Sequence, residues 1–180
     1  MKAIKNKEHR LDYLGFLRRY GIFLPVTIST PATQTLDKLS IHYSIFEHLT
    51  PPISLEQAAK ERGQSPDQVV RSILFRIQKE KFFLTLAAGS RQVSWRNLRA
   101  HLGVSRISMA SEEEVVEITG YVVGSVSALG LARPIPILAD NGVFAFEEIS
   151  LGSGVRGVAI IMKSADLSSA LERIEVGQFC

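Results

Sequence analysis

The chain is poor in the residues on which much enzyme chemistry rests. Its 180 residues include one cysteine, Cys180, and four histidines. A single cysteine closes no internal bridge and leaves no Cys-based metal site, which fits a reducing compartment. His9, His42, His48 and His101 show no H-x-x-x-H spacing, so no metal site is read from the sequence. Long apolar runs are also missing. The most apolar N-terminal window, 11–28, is broken by Asp12, Arg18, Arg19 and Pro25, and so makes neither a spanning helix nor the core of a signal peptide. The expectation is a soluble, cytoplasmic protein. No G-x-S-x-G elbow occurs and no histidine follows His101, which leaves serine-hydrolase chemistry without support.

What is present describes an ordinary globular chain: 46% hydrophobic, 22% charged, mean hydropathy +0.12. That length suits one domain with a short appendage, read as an N-terminal extension over 1–30 and a domain over 31–180. The net charge of +3 is unevenly spread. Residues 1–106 carry 17 Lys/Arg against 8 Asp/Glu, and residues 107–180 carry 4 against 10. Within 60–106, ten basic residues are interleaved with Phe75, Phe82, Phe83 and Trp95. Such a stretch can be a nucleic-acid footprint. The plainer account, favoured from charge alone, is core aromatics on strands and solvated cations on helix faces.

Periodicity and capping signals outline the elements. Asn6–Tyr20 has helical spacing, and 23–31 is β-branched and bracketed by prolines. A helix follows to Leu39, then a strand over 41–46. Ser54-Leu-Glu-Gln57 is a capping-box pattern that opens a helix ending at Gly63. Residues 69–75 and 82–87 read as a hairpin turned at Lys79-Glu80. Ser94–Leu102 is a helix closed by Gly103. Ser111-Glu-Glu-Glu114 opens another that stops at Gly120, its acids well placed for the helix dipole. Strands are expected over 136–139, 144–149 and 157–162, and a last helix over 166–174. Strands and helices do not alternate regularly, so the class is α+β: a mixed, strongly curved sheet with helices around it.

Three segments invite a chemical reading. Gly152-Ser-Gly154-Val-Arg-Gly157 matches G-x-G-x-x-G, but a strand follows it and no βαβ unit contains it, so a nucleotide cofactor site is rejected. Residues 120–130 hold Gly120, Gly124 and Gly130 with Ser125 and Ser127 and no charge. Such a loop either exposes backbone N–H groups to a ligand or is a surface connection with Gly120 as a cap. Arg71 shares a strand face with Val69, Ile73 and Phe75, and so either snorkels from a strand end or points into a polar pocket.

The segments Ile41–His48, Ser54–Ala59, Gln68–Phe75, Ala110–Val115, Thr119-Gly120, Gly124–Ser127 with Gly130, and Leu151–Gly157 stand in a telling order. Together, over about Thr35–Leu171, they make the chain resemble the YbaK / prolyl-tRNA-synthetase-associated domain family. The resemblance implies that family's fold and its activity, hydrolysis of the ester of a mischarged tRNA. It implies aminoacyl-tRNA as partner, with a synthetase as a further one, and no metal or other cofactor. The basic 60–106 stretch would then face the tRNA acceptor end. Arg71 falls where members usually have a lysine important to deacylation, followed by the matching Ser72. Gly124, Ser125, Val126, Ser127 and Ala128 fall on the family's G-x-x-x-P loop, whose backbone lies against substrate. Tyr43, His48, Phe75 and Leu129 are candidate wall residues, and Ser72, Gly120, Ala128, Gly130 and Gly154 complete the substrate-binding set.

Two departures stand out: Arg71 replaces Lys, and Ala128 replaces Pro. Arginine keeps the charge but not the shape or the titration of lysine. Losing proline frees the loop by up to about 1 kcal/mol of chain entropy. Besides a trans-acting deacylase, the sequence therefore admits a catalytically impaired relative that binds tRNA or a synthetase, and, more weakly, a hydrolase of another small acyl ester.

Overall fold

A computed structural model describes residues 28–171 and 173–180; the helix expected over 6–20 and most of the extended segment after it lie outside them. Helix α1 (Pro31–Lys38) opens at Thr30, whose hydroxyl accepts the Thr33 amide at 3.2 Å while the Thr33 hydroxyl accepts the Thr30 amide at 2.9 Å. Strand β1 (Tyr43–Glu47) leads to α2 (Leu55–Glu61). Ser54 caps α2, but the Gln57 side chain reaches one residue further back than a capping box requires, accepting the Ile53 amide at 3.1 Å. A 3-10 turn at Pro66–Gln68 feeds the hairpin of β2 (Val70–Gln78) and β3 (Lys81–Ala88). Helix α3 (Trp95–Leu102) runs from Ser94 to Gly103, and strand β4 (Ser108–Met109) follows. Both halves of the Ser111/Glu114 box form at α4 (Glu112–Thr119), which Gly120 stops at φ +78°. The chain ends with β5 (Ile137–Asp140), β6 (Glu148–Gly152), β7 (Val158–Lys163), α5 (Ser164–Ala170) and β8 (Ile174–Gly177).

The α+β class holds, with two open sheets where one was expected. Antiparallel β1-β7-β6 forms the smaller, and β4-β2-β3-β5-β8 the larger, in which β3, β5 and β8 run parallel. A single parallel bridge between Val69 and Ser150 joins the two at the start of β2. The larger sheet is buried on both faces, which explains why β3 is apolar from Phe82 to Ala88 except at Thr85. Leu84 and Leu86 face a core shared with Leu36, Leu129, Ile149, Ile160 and Leu167. Phe83 faces the other way, into a cluster with Phe75, Leu98, Leu138 and Phe179. Phe75 and Phe83 stack there at 5.3 Å, so the strand aromatics of the basic stretch are core, not a surface for bases. Among the described residues no helix is long and apolar enough to cross a membrane.

Two elements differ from expectation. The strand expected over 144–149 begins only at Glu148. Asp140 accepts the Gly142 amide through its side chain, at 2.9 Å, and turns Asn141–Phe144 into a 3-10 helix. The last helix begins at Ser164 and ends at Ala170, short of the expected 174. Leu171 is extended, and the chain leaves as β8 to pair with β5. The Asp140 carboxylate also takes the amides of Phe179 and Cys180, each at 2.8 Å, which seats the final residues on the second core.

The uncharged 120–130 loop is tied at both ends. Tyr121 is buried, and its hydroxyl donates to the carbonyls of Leu129 at 2.7 Å and Gly130 at 3.2 Å. Gly130, at φ +64°, lies against α1: a Cβ there would sit 2.8 Å from the Ala32 nitrogen. Burial pushes the Tyr121 phenol up to about 12. A phenol whose folded pKa exceeds its unfolded value near 10 keeps its stabilising effect below about pH 10 and loses it as pH rises toward 12. Tyr121→Phe should cost about 1–3 kcal/mol at neutral pH by stranding two buried carbonyls. It should also flatten the fall in stability between about pH 10 and 12, as read by chemical denaturation of both proteins across that range.

Candidate functional site

A cavity of about 600 Å³ opens at the seam between the two sheets. Its walls are four distant stretches of chain: His48 to Arg62, Val69 to Ile73 at the head of β2, Val123 to Val126, and Ser150 to Ala159. Each is placed by a backbone constraint. The His48 amide donates to the Gly157 carbonyl at 2.8 Å, pinning the end of β1 to the β6–β7 turn. The Val69–Ser150 bridge holds β2 to β6. Gly152 has no Cβ because the Ser125 carbonyl lies 2.7 Å from where one would be, with the Val126 carbonyl closer still. The Gly154 amide donates to that Ser125 carbonyl at 2.9 Å.

Six of the residues singled out from the sequence line this cavity: His48, Arg71, Ser72, Gly124, Ser125 and Val126. The others do not. Ser127, Ala128 and Leu129 are buried behind the loop, and Phe75 belongs to the second core. The Tyr43 hydroxyl donates to Asp37 at 2.9 Å. Gly120 ends α4, Gly130 meets α1, and Gly154 is packed against the Tyr121 ring. The G-x-G-x-x-G segment is the turn between β6 and β7, as its neighbours suggested.

The loop's donors are unequal. The Ser125 amide and hydroxyl both donate to the Val122 carbonyl, at 3.1 and 3.0 Å, so neither is open. The amides of Gly124 and Val126 have no acceptor among the described residues. Arg71 also lines the cavity. Its Nε is buried without an acceptor, and one terminal nitrogen donates to the Arg91 carbonyl. Its charge also reaches Cys180, whose thiol is pushed up by burial and by Asp140, with Arg71 and Arg91 opposing.

Sequence reasoning missed Arg62 and Arg156. Arg62 follows the last turn of α2 and donates to His48 Nε2 at 2.9 Å. His48 Nδ1 pairs with the Glu61 carboxylate, which assigns the ring's proton to Nδ1 and its lone pair to Nε2. The His48 hydrogen bond holds the Glu61 carboxyl below its usual range. Arg156 Nε donates to the Val123 carbonyl at 3.1 Å. Among the described residues no Asp or Glu lines the cavity. No serine near it has the histidine it would need as a base, since both His48 ring nitrogens are engaged.

The cavity at the seam thus combines a cationic wall with a glycine-held loop. Residues 51–170, two-thirds of the chain, match the aminoacyl-tRNA editing domain, and the chain belongs to that family. It is 30% identical over 124 residues to protein YwhH of Bacillus subtilis strain 168, covering 69% of this chain and 78% of that one. It is 28% identical over 115 residues to the multifunctional Ser/Thr-tRNA deacylase ProXp-y of Escherichia coli K12, covering 62% of this chain and 69% of that one. The proline–tRNA ligase of Kosmotoga olearia is 30% identical over 104 residues, 58% of this chain but 18% of the ligase. The fold matches a crystal structure of a proposed trans-editing enzyme for prolyl tRNA synthetase with a TM-score of 0.75 at 22% identity, over 85% of this chain and 98% of that one.

The contact at Gly152 can be tested on the folded protein. Gly152→Ala forces backbone against backbone and should cost about 1–3 kcal/mol. Amide exchange at Gly154 should accelerate as the loop lifts off β6. Unchanged exchange there would show that the loop does not rest on this contact.

Proposed function

We propose that this chain is a trans-acting aminoacyl-tRNA deacylase: it hydrolyses the ester between an amino acid and the 3′ end of a mischarged tRNA. The observation that carries the reading is that, in a member of the editing family, Arg71 lines one cavity with Gly124 and Val126, whose amides have no acceptor among the described residues. The ester is already activated, so the protein's task is positioning and charge stabilisation. The Gly124–Val126 backbone receives the carbonyl oxygen as it gains charge, and Arg71 acts as the positioning cation. Water, or a ribose hydroxyl followed by water, attacks the carbonyl carbon. The bond to the ribose oxygen breaks, that oxygen takes a proton, and a free amino acid leaves. The absence of a protein nucleophile from this scheme agrees with the engaged hydroxyl of Ser125. Proline–tRNA ligase relatives hold a matching segment inside a longer chain, which makes a synthetase the natural source of the mischarged tRNA.

Deacylation of a panel of mischarged tRNAs by wild type, Arg71→Ala and Arg71→Lys tests the reading. Wild type should release amino acid from at least one. Arg71→Ala should lower kcat/KM by about 10- to 1,000-fold, the range for removing one preorganised charge-stabilising donor. Arg71→Lys should retain more than Arg71→Ala. Salt-sensitive tRNA binding with no turnover of any charged tRNA would replace the enzyme with a binding module.

A further inference from the structure

Arg62 takes no part in the hydrolysis proposed for this cavity, yet its surroundings are built around it. One terminal nitrogen is bonded to His48 Nε2 and Nε donates to Gln64 Oε1 at 3.2 Å, both neutral acceptors. The Glu61 carboxylate acts on it through the imidazole ring, which it orients by holding Nδ1. Burial pulls the Arg62 guanidinium below its ordinary pKa, with Glu61 opposing. Among the described residues this partly desolvated cation has no direct carboxylate contact and its cavity no acid, an arrangement suited to an anion.

Arg156 lines the same cavity, and the two stretches are tied by backbone: His48, which holds Arg62, donates its amide to Gly157, the residue after Arg156, at 2.8 Å. The Val123 carbonyl fixes Arg156 Nε, and among the described residues its terminal nitrogens have no partner. Among the described residues neither Arg62 nor Arg156 makes a salt bridge, whereas Arg76 and Arg133 on other faces each pair with a glutamate at 2.7 Å.

We propose that Arg62 and Arg156 form an oxyanion-binding subsite on the His48–Gly157 side of the cavity, with Glu61 and His48 as positioning residues for Arg62. The free donors of a guanidinium make a planar fork that matches two oxygens of one phosphate or carboxylate. Two parts of the substrate can supply that group: the 5′-phosphate of the nucleotide bearing the ester, or a carboxylate on the amino acid. The choice between them rests on the deacylase reading; the anion site itself does not.

The first arm titrates inorganic phosphate and pyrophosphate into the full chain and its Arg62→Ala, Arg62→Gln, Arg156→Ala and His48→Ala variants by calorimetry. Thermal melts identify any variant that fails to fold, and Arg62→Gln stands in for Arg62→Ala in that case. Wild type should bind saturably, and each folded variant about tenfold or more weaker. The second arm measures hydrolysis of 3′-alanyl- and 3′-aspartyl-adenosine, each with and without a 5′-phosphate. A gain from the 5′-phosphate that vanishes in the Arg62 variant assigns the subsite to the nucleotide; an aspartyl preference that vanishes assigns it to the amino acid. Wild type that binds neither anion, or Arg62 variants that leave binding unchanged, would overturn the subsite. Anion binding lost in the variants, with no hydrolysis by wild type of either ester or of any charged tRNA, would leave the subsite standing and remove the deacylase reading.

Discussion

The cavity depends on one close approach of two backbones: the carbonyls of Ser125 and Val126 lie against the Cα of Gly152. A side chain on that strand residue would push the loop away from β6 and open the seam. Because the approach is backbone to backbone, flexible side chains cannot relieve it. The loop is fixed there from below, at its ends by the Tyr121 hydroxyl on Leu129 and Gly130, and from the side by the Gly154 amide on Ser125. These hydrogen bonds and one absent Cβ hold an eleven-residue loop that has no regular structure of its own. Unpaired amides can stay at Gly124 and Val126 because the rest of the loop's backbone is held in place around them.

That rigidity bears on the alanine at 128. Where the family's loop has proline, a ring limits the chain's freedom. Here Ala128 is buried between Ser127 and Leu129, and Tyr121 closes the loop one and two residues beyond it. A hydrogen bond of a buried phenol is worth about as much as the entropy that proline would remove. The loop is thus pre-organised by a cross-link where the sequence alone implied slackness, and the substitution does not argue for a dead site.

Much of the fold was legible because its signals are local. Ser111 with Glu114, Gly103 and Gly120 mark helix ends within a single turn of chain, and those ends fall where they were read. Of the two misread segments, one turns on a side-chain cap just upstream of it and the other on a distant strand. The 144–149 segment has the composition of a strand, but an Asp140 side chain folds its first residue into a 3-10 turn. The 171–174 segment could continue a helix, but the open edge of β5 recruits Ile174–Gly177 as β8 and draws the chain out of the helix. The site obeys the same rule. Arg71 and the 124–126 loop could be picked out because a strand face and a glycine spacing are visible in one stretch. Arg62 and Arg156 look like solvated charges on a helix end and a turn. Only the seam between two sheets, made of four segments far apart in the chain, brings them to one wall.

The charge asymmetry along the chain then acquires a spatial meaning. Several acids of the second half are paired on other faces: Glu114 with Arg76, Glu117 with Arg133 and Glu147 with Lys163. Asp140 is buried under three backbone amides at the chain's final residues. Among the described residues the cavity lining is cationic, with Arg62, Arg71 and Arg156 and no acid. An arginine in place of lysine at 71 suits such a site, because a guanidinium stays charged where a desolvated ammonium would lose its proton. The substitution trades an adjustable cation for a permanent one, and a cavity without acids has the greater use for the second.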